Sequence, residues 1–245
     1  MSLGTRYFEH IERLLQTLQR TQRENISAAA DIVADALIQG GVFHIFGTGH
    51  SHIIAEEAFF RAGGLVAVNA ILEPGLMIHD GASKSTNLER LSGYAEIIAD
   101  YHDLKCPDAL MIVSNSGRNA VPVEMAVTAK NRGIPVIALT SLAASTQVDS
   151  RHSTGKRLFE VADVVIDNCG VPGDAILEVA DIPTKICPTS TVTGTIILNV
   201  LVAEVAERIL AAGIQPAFYK SANLDDGTEY YGQWVAEYKR KFKSL

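Results

Sequence analysis

The sequence predicts an α/β fold in which a parallel sheet of about five strands carries helices on both faces. Short apolar runs without charged residues, such as Ala109–Val113, are typical of strands buried on both faces of a parallel sheet. These runs alternate along the chain with helical patterns. Loops of small polar residues join several strands to the helices that follow, as in Ser114–Asn119.

Composition narrows the classes of protein that this chain can belong to. Its 245 residues, of which 47% are apolar, can form a large hydrophobic core. A net charge of −7 argues against a general nucleic-acid surface, because phosphate backbones require clustered Lys and Arg. The three cysteines lack CxxC spacing, which favours buried free thiols and a cytoplasmic location. No signal peptide is predicted, and charged residues interrupt the apolar segment Thr195–Leu210, so no membrane partner is expected.

We assign residues 1–245 to a single domain with an N-terminal helical segment (1–40), a core (42–212) and a C-terminal tail (213–245). Apolar residues in the N-terminal segment form two helical stripes, which fit either one long bent helix or a pair of helices. The tail is predicted to carry a last helix over Glu229–Lys241.

Strands and helices alternate through the core. The predicted strands are Val42–Phe46, Leu65–Ile71, Ala109–Val113, Ile134–Thr140 and Val164–Ile166. The predicted helices are Ile53–Arg61, Leu88–His102, a helix with Pro122 in its first turn that ends at Gly133, and Thr193–Ala212. Two long segments are predicted to be irregular, Leu72–Asn87 and Asn168–Thr189, and loops of this length in compact domains are usually functional.

Loops rich in hydroxyl groups precede three of the predicted helices, at Gly47–Ser51, Ser114–Asn119 and Pro188–Gly194. In a parallel sheet these loops gather at the carboxyl edge, where ligands bind. Free N–H groups and the helix dipole at such points favour a phosphate, although N-capping by Ser, Thr or Asn explains part of the pattern. The first loop does not favour a dinucleotide, because His52 stands where the third glycine of that fingerprint belongs.

Three motifs together resemble the sugar isomerase (SIS) domain: FGTGHS at 46–51, SNSGRN at 114–119 and AKNRGIPVIALT at 129–140. The resemblance covers roughly Val42–Leu210 and implies a three-layer α/β/α sandwich around a five-stranded parallel sheet of flavodoxin or Rossmann-like topology. It also implies a homodimer or homotetramer and no required cofactor. The layout is most similar to stand-alone bacterial phosphosugar isomerases, with sedoheptulose-7-phosphate isomerase, glucosamine-6-phosphate synthase and N-acetylmuramic acid 6-phosphate etherase as relatives.

The resemblance implies a phosphorylated sugar as ligand. The residues expected to bind it are Gly49, Ser51, Ser114, Asn115, Ser116, Asn119, Ser190 and Thr191. Asn119 stands where the family usually has Thr or Ser, but an amide can still donate to an oxyanion. Cationic side chains are not required, since backbone N–H groups, hydroxyls and a helix dipole can hold a dianion.

Catalytic residues are harder to select. Aldose–ketose isomerisation needs a base beside the carbonyl and an acid at its oxygen. Glu57 is the first candidate for the base, because several SIS enzymes carry an acidic residue on the helix after the first loop. His79 and His50 are candidates for the acid because imidazole titrates near neutrality, and an exposed or structural role is the alternative for all three residues. No metal is predicted, because His50, His52, His79 and Asp80 lack metal-ligand spacing.

These observations lead to the hypothesis of an aldose–ketose isomerase that acts on a phosphorylated sugar, with an amino sugar as one candidate. A non-catalytic phosphosugar sensor that regulates a partner is an alternative. An etherase or lyase acting on a phosphorylated muramyl sugar is another. No helix-turn-helix is evident near the N-terminus, so no nucleic-acid partner is expected.

Overall fold

A five-stranded parallel sheet forms the middle layer of the protein. The computed structural model describes residues 1–225 and 227–245. The strands are β1 (Phe43–Gly47), β2 (Val68–Ile71), β3 (Ala109–Val113), β4 (Val136–Thr140) and β5 (Val164–Asp167), in the order β2-β1-β3-β4-β5. Every residue of the first four strands is buried, which confirms the fold class predicted from their uncharged sequences.

Helices cover both faces of this sheet. Side chains from α1 (Leu3–Thr21), α2 (Arg23–Ile38), α3 (His52–Ala58) and α8 (Ser190–Ala211) form one hydrophobic cluster with the sheet. Side chains from α5 (Tyr94–Tyr101) and α6 (Ala120–Asn131) form the other. In β3, Met111 belongs to the first cluster and Leu110 and Ile112 to the second, since alternate side chains of a strand point to opposite faces.

The N-terminal stripes form two helices that are separated at Gln22. Gln22 is buried, and its amide oxygen accepts a hydrogen bond from the backbone N–H of Asp167 at 3.0 Å. The break between α1 and α2 is therefore attached to the end of β5.

The segment predicted to be irregular over Leu72–Asn87 is largely helical, which corrects that prediction. It contains 3₁₀ turns at Pro74–Leu76 and Ile78–Asp80, followed by α4 (Ala82–Leu88). The buried Ser85 hydroxyl donates to the carbonyl of Leu76 at 2.7 Å and folds the segment back on itself. The next helix begins at Tyr94 rather than Leu88, because Gly93 has φ 86 and separates it from α4.

Four further features differ from the sequence prediction. The segment Asn168–Thr189 contains an antiparallel hairpin of β6 (Ala175–Leu177) and β7 (Ile186–Pro188). Helix α7 (Leu142–Ser145) follows β4, and α8 begins at Ser190 instead of Thr193. The last helix, α9 (Gly227–Tyr238), ends before the predicted Lys241. Each is a short element or a helix end, where periodicity carries little information.

A buried histidine lies near a polar network in β1 and β2. His44 contacts Asp108 through Nε2 at 3.2 Å, and its Nδ1 lies 2.9 Å from the amide nitrogen of Asn69. His102, at the end of α5, is 9% exposed, and its Nδ1 has no hydrogen-bond partner among the described residues. Burial and the nearby His44 lower the pKa of His102 to about 4.

This burial makes stability depend on pH. The pKa of His102 is about 4 in the folded protein and 6.5 without perturbation, so the unfolded chain binds more protons between these values. We expect the free energy of unfolding to fall as the pH drops below 6.5, and we expect this fall to be smaller in His102→Phe. Melting temperatures at about pH 7.5 and 5.5 measure the difference. His152→Gln, which removes a histidine outside the core, should behave like the wild type, and an unchanged pH response in His102→Phe would refute the assignment.

Candidate functional site

The carboxyl ends of β1, β3, β4 and β5 meet at a crevice of about 140 Å³. It lies beside the point where the strand order reverses, between β1 and β3, which is where open α/β sheets bind ligands. Apolar side chains of Ile54, Val113 and Leu139 form part of its wall. The polar residues of the wall are His50, Ser51, Asn115, Asn168, Asp174, Ser190 and Thr191.

The first loop turns sharply from β1 into α3. A Cβ atom on Gly47 would lie 2.6 Å from the carbonyl carbon of Ser51, so only glycine allows this close approach. The Ser51 N–H donates to the Thr48 carbonyl at 3.1 Å, and the ring of His52 donates from Nδ1 to the Gly49 carbonyl. The Ser51 hydroxyl lies in the crevice wall and has no partner in the described chain.

The second loop runs from β3 into α6. The Ser114 hydroxyl accepts a hydrogen bond from Gly117 N–H at 3.2 Å and closes the turn. Asn115 accepts a hydrogen bond from Asn168 at 2.8 Å, which links the loop to the end of β5. Ser116 is half-buried, and its hydroxyl has no partner within residues 1–225 and 227–245. The sequence pattern therefore predicts a serine-rich loop, but it does not predict which of the hydroxyls form hydrogen bonds within the chain.

Asn119 is engaged on both sides by residues from other segments. Its side-chain NH₂ donates to Glu89 Oε1 at 2.7 Å, and its oxygen accepts from Arg151 Nη1 at 2.7 Å. The other oxygen of Glu89 accepts from the Thr48 hydroxyl at 2.9 Å. Glu89 and Arg151 belong to no motif, so the sequence marks neither of them as a site residue.

The third loop is occupied by a carboxylate of the same chain. Asp174 Oδ1 accepts from the N–H groups of Thr189 and Ser190 at 3.0 and 2.8 Å, and its Oδ2 accepts from the Ser190 hydroxyl at 2.5 Å. The start of α8 is thus already capped by an anion, and Thr191 keeps a hydroxyl without a partner in the described chain. Asp174 was also missed, because nothing in its local sequence marks it.

The three candidates for proton transfer lie in different places. His50 is exposed and forms part of the crevice wall. Glu57 forms an ion pair with Arg61, one turn further along α3, and is not among the wall residues. His79 lies outside the wall with its ring against that of His52, at 5.6 Å between centroids. The structure therefore places His50 in the wall and Glu57 and His79 outside it. The predicted binding residues in the wall are Ser51, Asn115, Ser190 and Thr191, whereas Gly49, Ser114, Ser116 and Asn119 are not wall residues.

In the part of the chain that the structure describes, no three His, Cys, Asp or Glu side chains are grouped in a way that could hold a metal ion. None of the helices described is both long enough and apolar enough to cross a bilayer.

Comparison with known proteins identifies the family. The model of the SIS domain matches residues 6–141. The chain belongs to the SIS domain family. This SIS protein is 45% identical over 242 residues to a UPF0309 protein of Caldanaerobacter subterraneus, with 98% of each chain covered. It is 41% identical over 239 residues to a UPF0309 protein of Geobacillus thermodenitrificans, with 98% of this chain and 96% of the relative covered.

The fold of this SIS protein is also found in solved structures. A phosphoheptose isomerase from Francisella tularensis superposes with a TM-score of 0.53 at 17% identity, covering 84% of this chain and 100% of that chain. A phosphoheptose isomerase from Neisseria gonorrhoeae superposes with the same TM-score of 0.53 at 18% identity. These findings confirm the family and the three-layer fold that the sequence motifs predicted.

The tight first turn gives a testable prediction. Gly47→Ala places a methyl group against the backbone of Ser51, so we expect a loss of about 1–3 kcal/mol in the free energy of unfolding. Urea denaturation measures it. Gly232→Ala in α9 is the matched control, because no described atom lies within 4 Å of its added Cβ. Equal stability of the two variants would contradict the proposed close contact.

Proposed function

We propose that this protein is a cytoplasmic phosphosugar isomerase that binds a phosphorylated sugar in the crevice and interconverts its aldose and ketose forms by proton transfer. No cofactor is part of this proposal. The observation that carries it is the difference between two helix starts: α8 starts in the crevice wall, and the loop that leads into α6 reaches the wall through Asn115. The start of α8 already holds the Asp174 carboxylate, whereas the start of α6 has donors without acceptors in the described chain.

The phosphate is assigned to the start of α6. Within the described residues, the backbone N–H groups of Ser116, Arg118 and Ala120 have no acceptor. The Ser116 hydroxyl is available beside them, and α6 spans 12 residues, enough for a dipole that favours a dianion. Ser114 accepts a hydrogen bond from Gly117, which leaves its own proton free to donate. These donors can hold a phosphate ester without a metal ion.

The sugar is assigned to the crevice. Asn115, Asn168 and the hydroxyls of Ser51 and Thr191 suit the hydroxyl groups of a sugar, and His50 is the titratable group without a described partner there. An imidazole can both accept and donate the proton that moves between two neighbouring carbons. Glu57 would take the role of base only after releasing Arg61, and His79 only after moving towards the wall.

The relatives are consistent with this proposal. The matching family model is that of the SIS domain, and the superposed structures named above are phosphoheptose isomerases. We further propose a homodimer or homotetramer. Phe8 of α1 is 71% exposed, and Ile196 and Val200 of α8 are exposed at a groove between the two helices, which a second copy would cover.

A second candidate is a phosphosugar sensor without turnover. Asp174 is the carboxylate of the crevice wall, and hydrogen bonds to Thr189 and Ser190 occupy it. No carboxylate without a partner lines the crevice in the described parts of the chain, so binding without catalysis also fits the geometry.

Binding is the first test. Hexose, heptose and amino-sugar phosphates should raise the melting temperature in thermal-shift assays, whereas the unphosphorylated sugars should not. Ser116→Ala should weaken the affinity about tenfold, because a donor to a charged group is lost. Ser83→Ala, at an exposed serine of α4, is the matched control. If plain sugars or nucleotides stabilise the protein and no phosphosugar does, the proposal fails.

Turnover is the second test. With a bound phosphosugar, exchange of its C2 proton with deuterated solvent should be observed by NMR. His50→Gln should slow this exchange by about 10²–10⁴-fold while binding persists. If Glu57 leaves Arg61 and acts as the base, Glu57→Gln should also slow this exchange. Binding without exchange in the wild type would identify a sensor, and release of lactate from a phosphorylated muramyl sugar would identify an etherase.

A further inference from the structure

A segment from a different part of the chain is fastened to the second loop. The Arg151 N–H donates to the Arg118 carbonyl at 2.7 Å, and the Leu158 N–H donates to the Gly117 carbonyl at 2.8 Å. In return, Arg118 Nε donates to the Asp149 carbonyl at 2.8 Å. These bonds hold the segment 149–158 against the loop that leads into α6.

This arrangement brings arginines together beside the proposed phosphate position. Arg118 lies in the loop itself, Arg151 donates to Asn119 at 2.7 Å, and Arg90 adjoins Glu89 in sequence. Burial and the guanidinium groups of Arg118 and Arg90 lower the pKa of Arg151. We name Arg90, Arg118 and Arg151 the arginine cluster.

No member of the arginine cluster forms an ion pair with a described carboxylate. Ion pairs hold several other arginines, such as Arg132, Arg157 and Arg208, but none involves a member of the cluster within the described residues. Glu89 is the nearby carboxylate, and its two oxygens accept hydrogen bonds from Asn119 and Thr48. Three like charges in a chain of net charge −7 are therefore close together, and the single charge of Glu89, which acts on Arg151, offsets them only in part.

The guanidinium groups of Arg118 and Arg151 also have N–H donors that no described acceptor occupies. Arg118 uses Nε for the Asp149 carbonyl, and Arg151 uses Nη1 for Asn119. The remaining N–H groups of both side chains have no acceptor in the described chain. Guanidinium groups bind phosphate through paired N–H donors in a fixed fork, so two partly free forks beside a helix start match a phosphate ester.

We infer that Arg118 and Arg151, with Arg90 adding positive charge, bind the phosphate group of the ligand together with the start of α6. The inference rests on the proposed function and adds a property to it: the site selects a dianionic phosphate monoester over a monoanionic ester. It also replaces the expectation that neutral donors alone hold the phosphate.

The test compares affinities measured by isothermal titration calorimetry. The probes are inorganic phosphate, glucosamine 6-phosphate and glucosamine 6-sulfate, each at low and high salt. Arg118→Gln and Arg151→Gln should each weaken binding of the phosphate ester by about tenfold to a hundredfold, and should weaken its salt dependence. Preference for phosphate over sulfate should fall in both variants. Arg118→Lys and Arg151→Lys keep the charge without the fork and should show smaller losses.

Arg240→Gln is the matched control, because it removes the same charge at a position away from the crevice. Its neighbour Lys241 donates to the Gly40 carbonyl, which lies before the start of β1. Wild-type affinity and salt dependence in folded Arg118→Gln and Arg151→Gln would overturn the inference while leaving the proposed function standing. Conversely, arginine-dependent binding of inorganic phosphate without binding of any sugar phosphate would support the cluster and overturn the proposed function.

Discussion

The carboxylate of Glu89 connects two loops that the strands of the sheet do not connect by themselves. One oxygen accepts from Thr48 at the end of β1 and the other from Asn119 at the start of α6. Because β1 and β3 are adjacent in the sheet, this bridge spans the point at which the strand order reverses. Donors that are fixed before a ligand arrives need little reorganisation when it binds, which is how preorganised sites gain their strength. The loop geometry on which the crevice depends is therefore set by a residue of neither loop.

The two helices that start at the crevice have different electrostatic tasks. Helix α8 begins against Asp174, so its free N–H groups are satisfied by the chain itself. Helix α6 begins with free donors and lies beside arginines that form no ion pair in the described chain. The chain itself satisfies the first start, and the second is where we propose that the anion binds. On that proposal, an acidic protein keeps a local site for a negatively charged ligand.

Much of this fold follows from the sequence because strong local signals agree with the global topology. Uncharged apolar runs identified all five strands of the sheet, and the motifs at 47–51 and 114–119 identified the loops of the crevice. The state of each hydroxyl did not follow. Ser190 is engaged by Asp174 and Asn119 by Glu89 and Arg151, partners that lie 16, 30 and 32 residues away along the chain. Tertiary folding alone brings such pairs together, and no periodicity or spacing records them.

The buried amide of Gln22 fixes the position of the N-terminal helices on the sheet. It anchors the junction of α1 and α2 to β5, so α1 leaves the sheet in a defined direction. At the far end of α1, the Tyr7 hydroxyl donates to the Pro188 carbonyl of the hairpin at 2.9 Å. Helix α1 thus contacts the hairpin. The two residues that follow the hairpin, Thr189 and Ser190, donate their N–H groups to Asp174. Two hydrogen bonds, from Tyr7 and to Gln22, thus connect the N-terminal helix to both the hairpin and the end of β5.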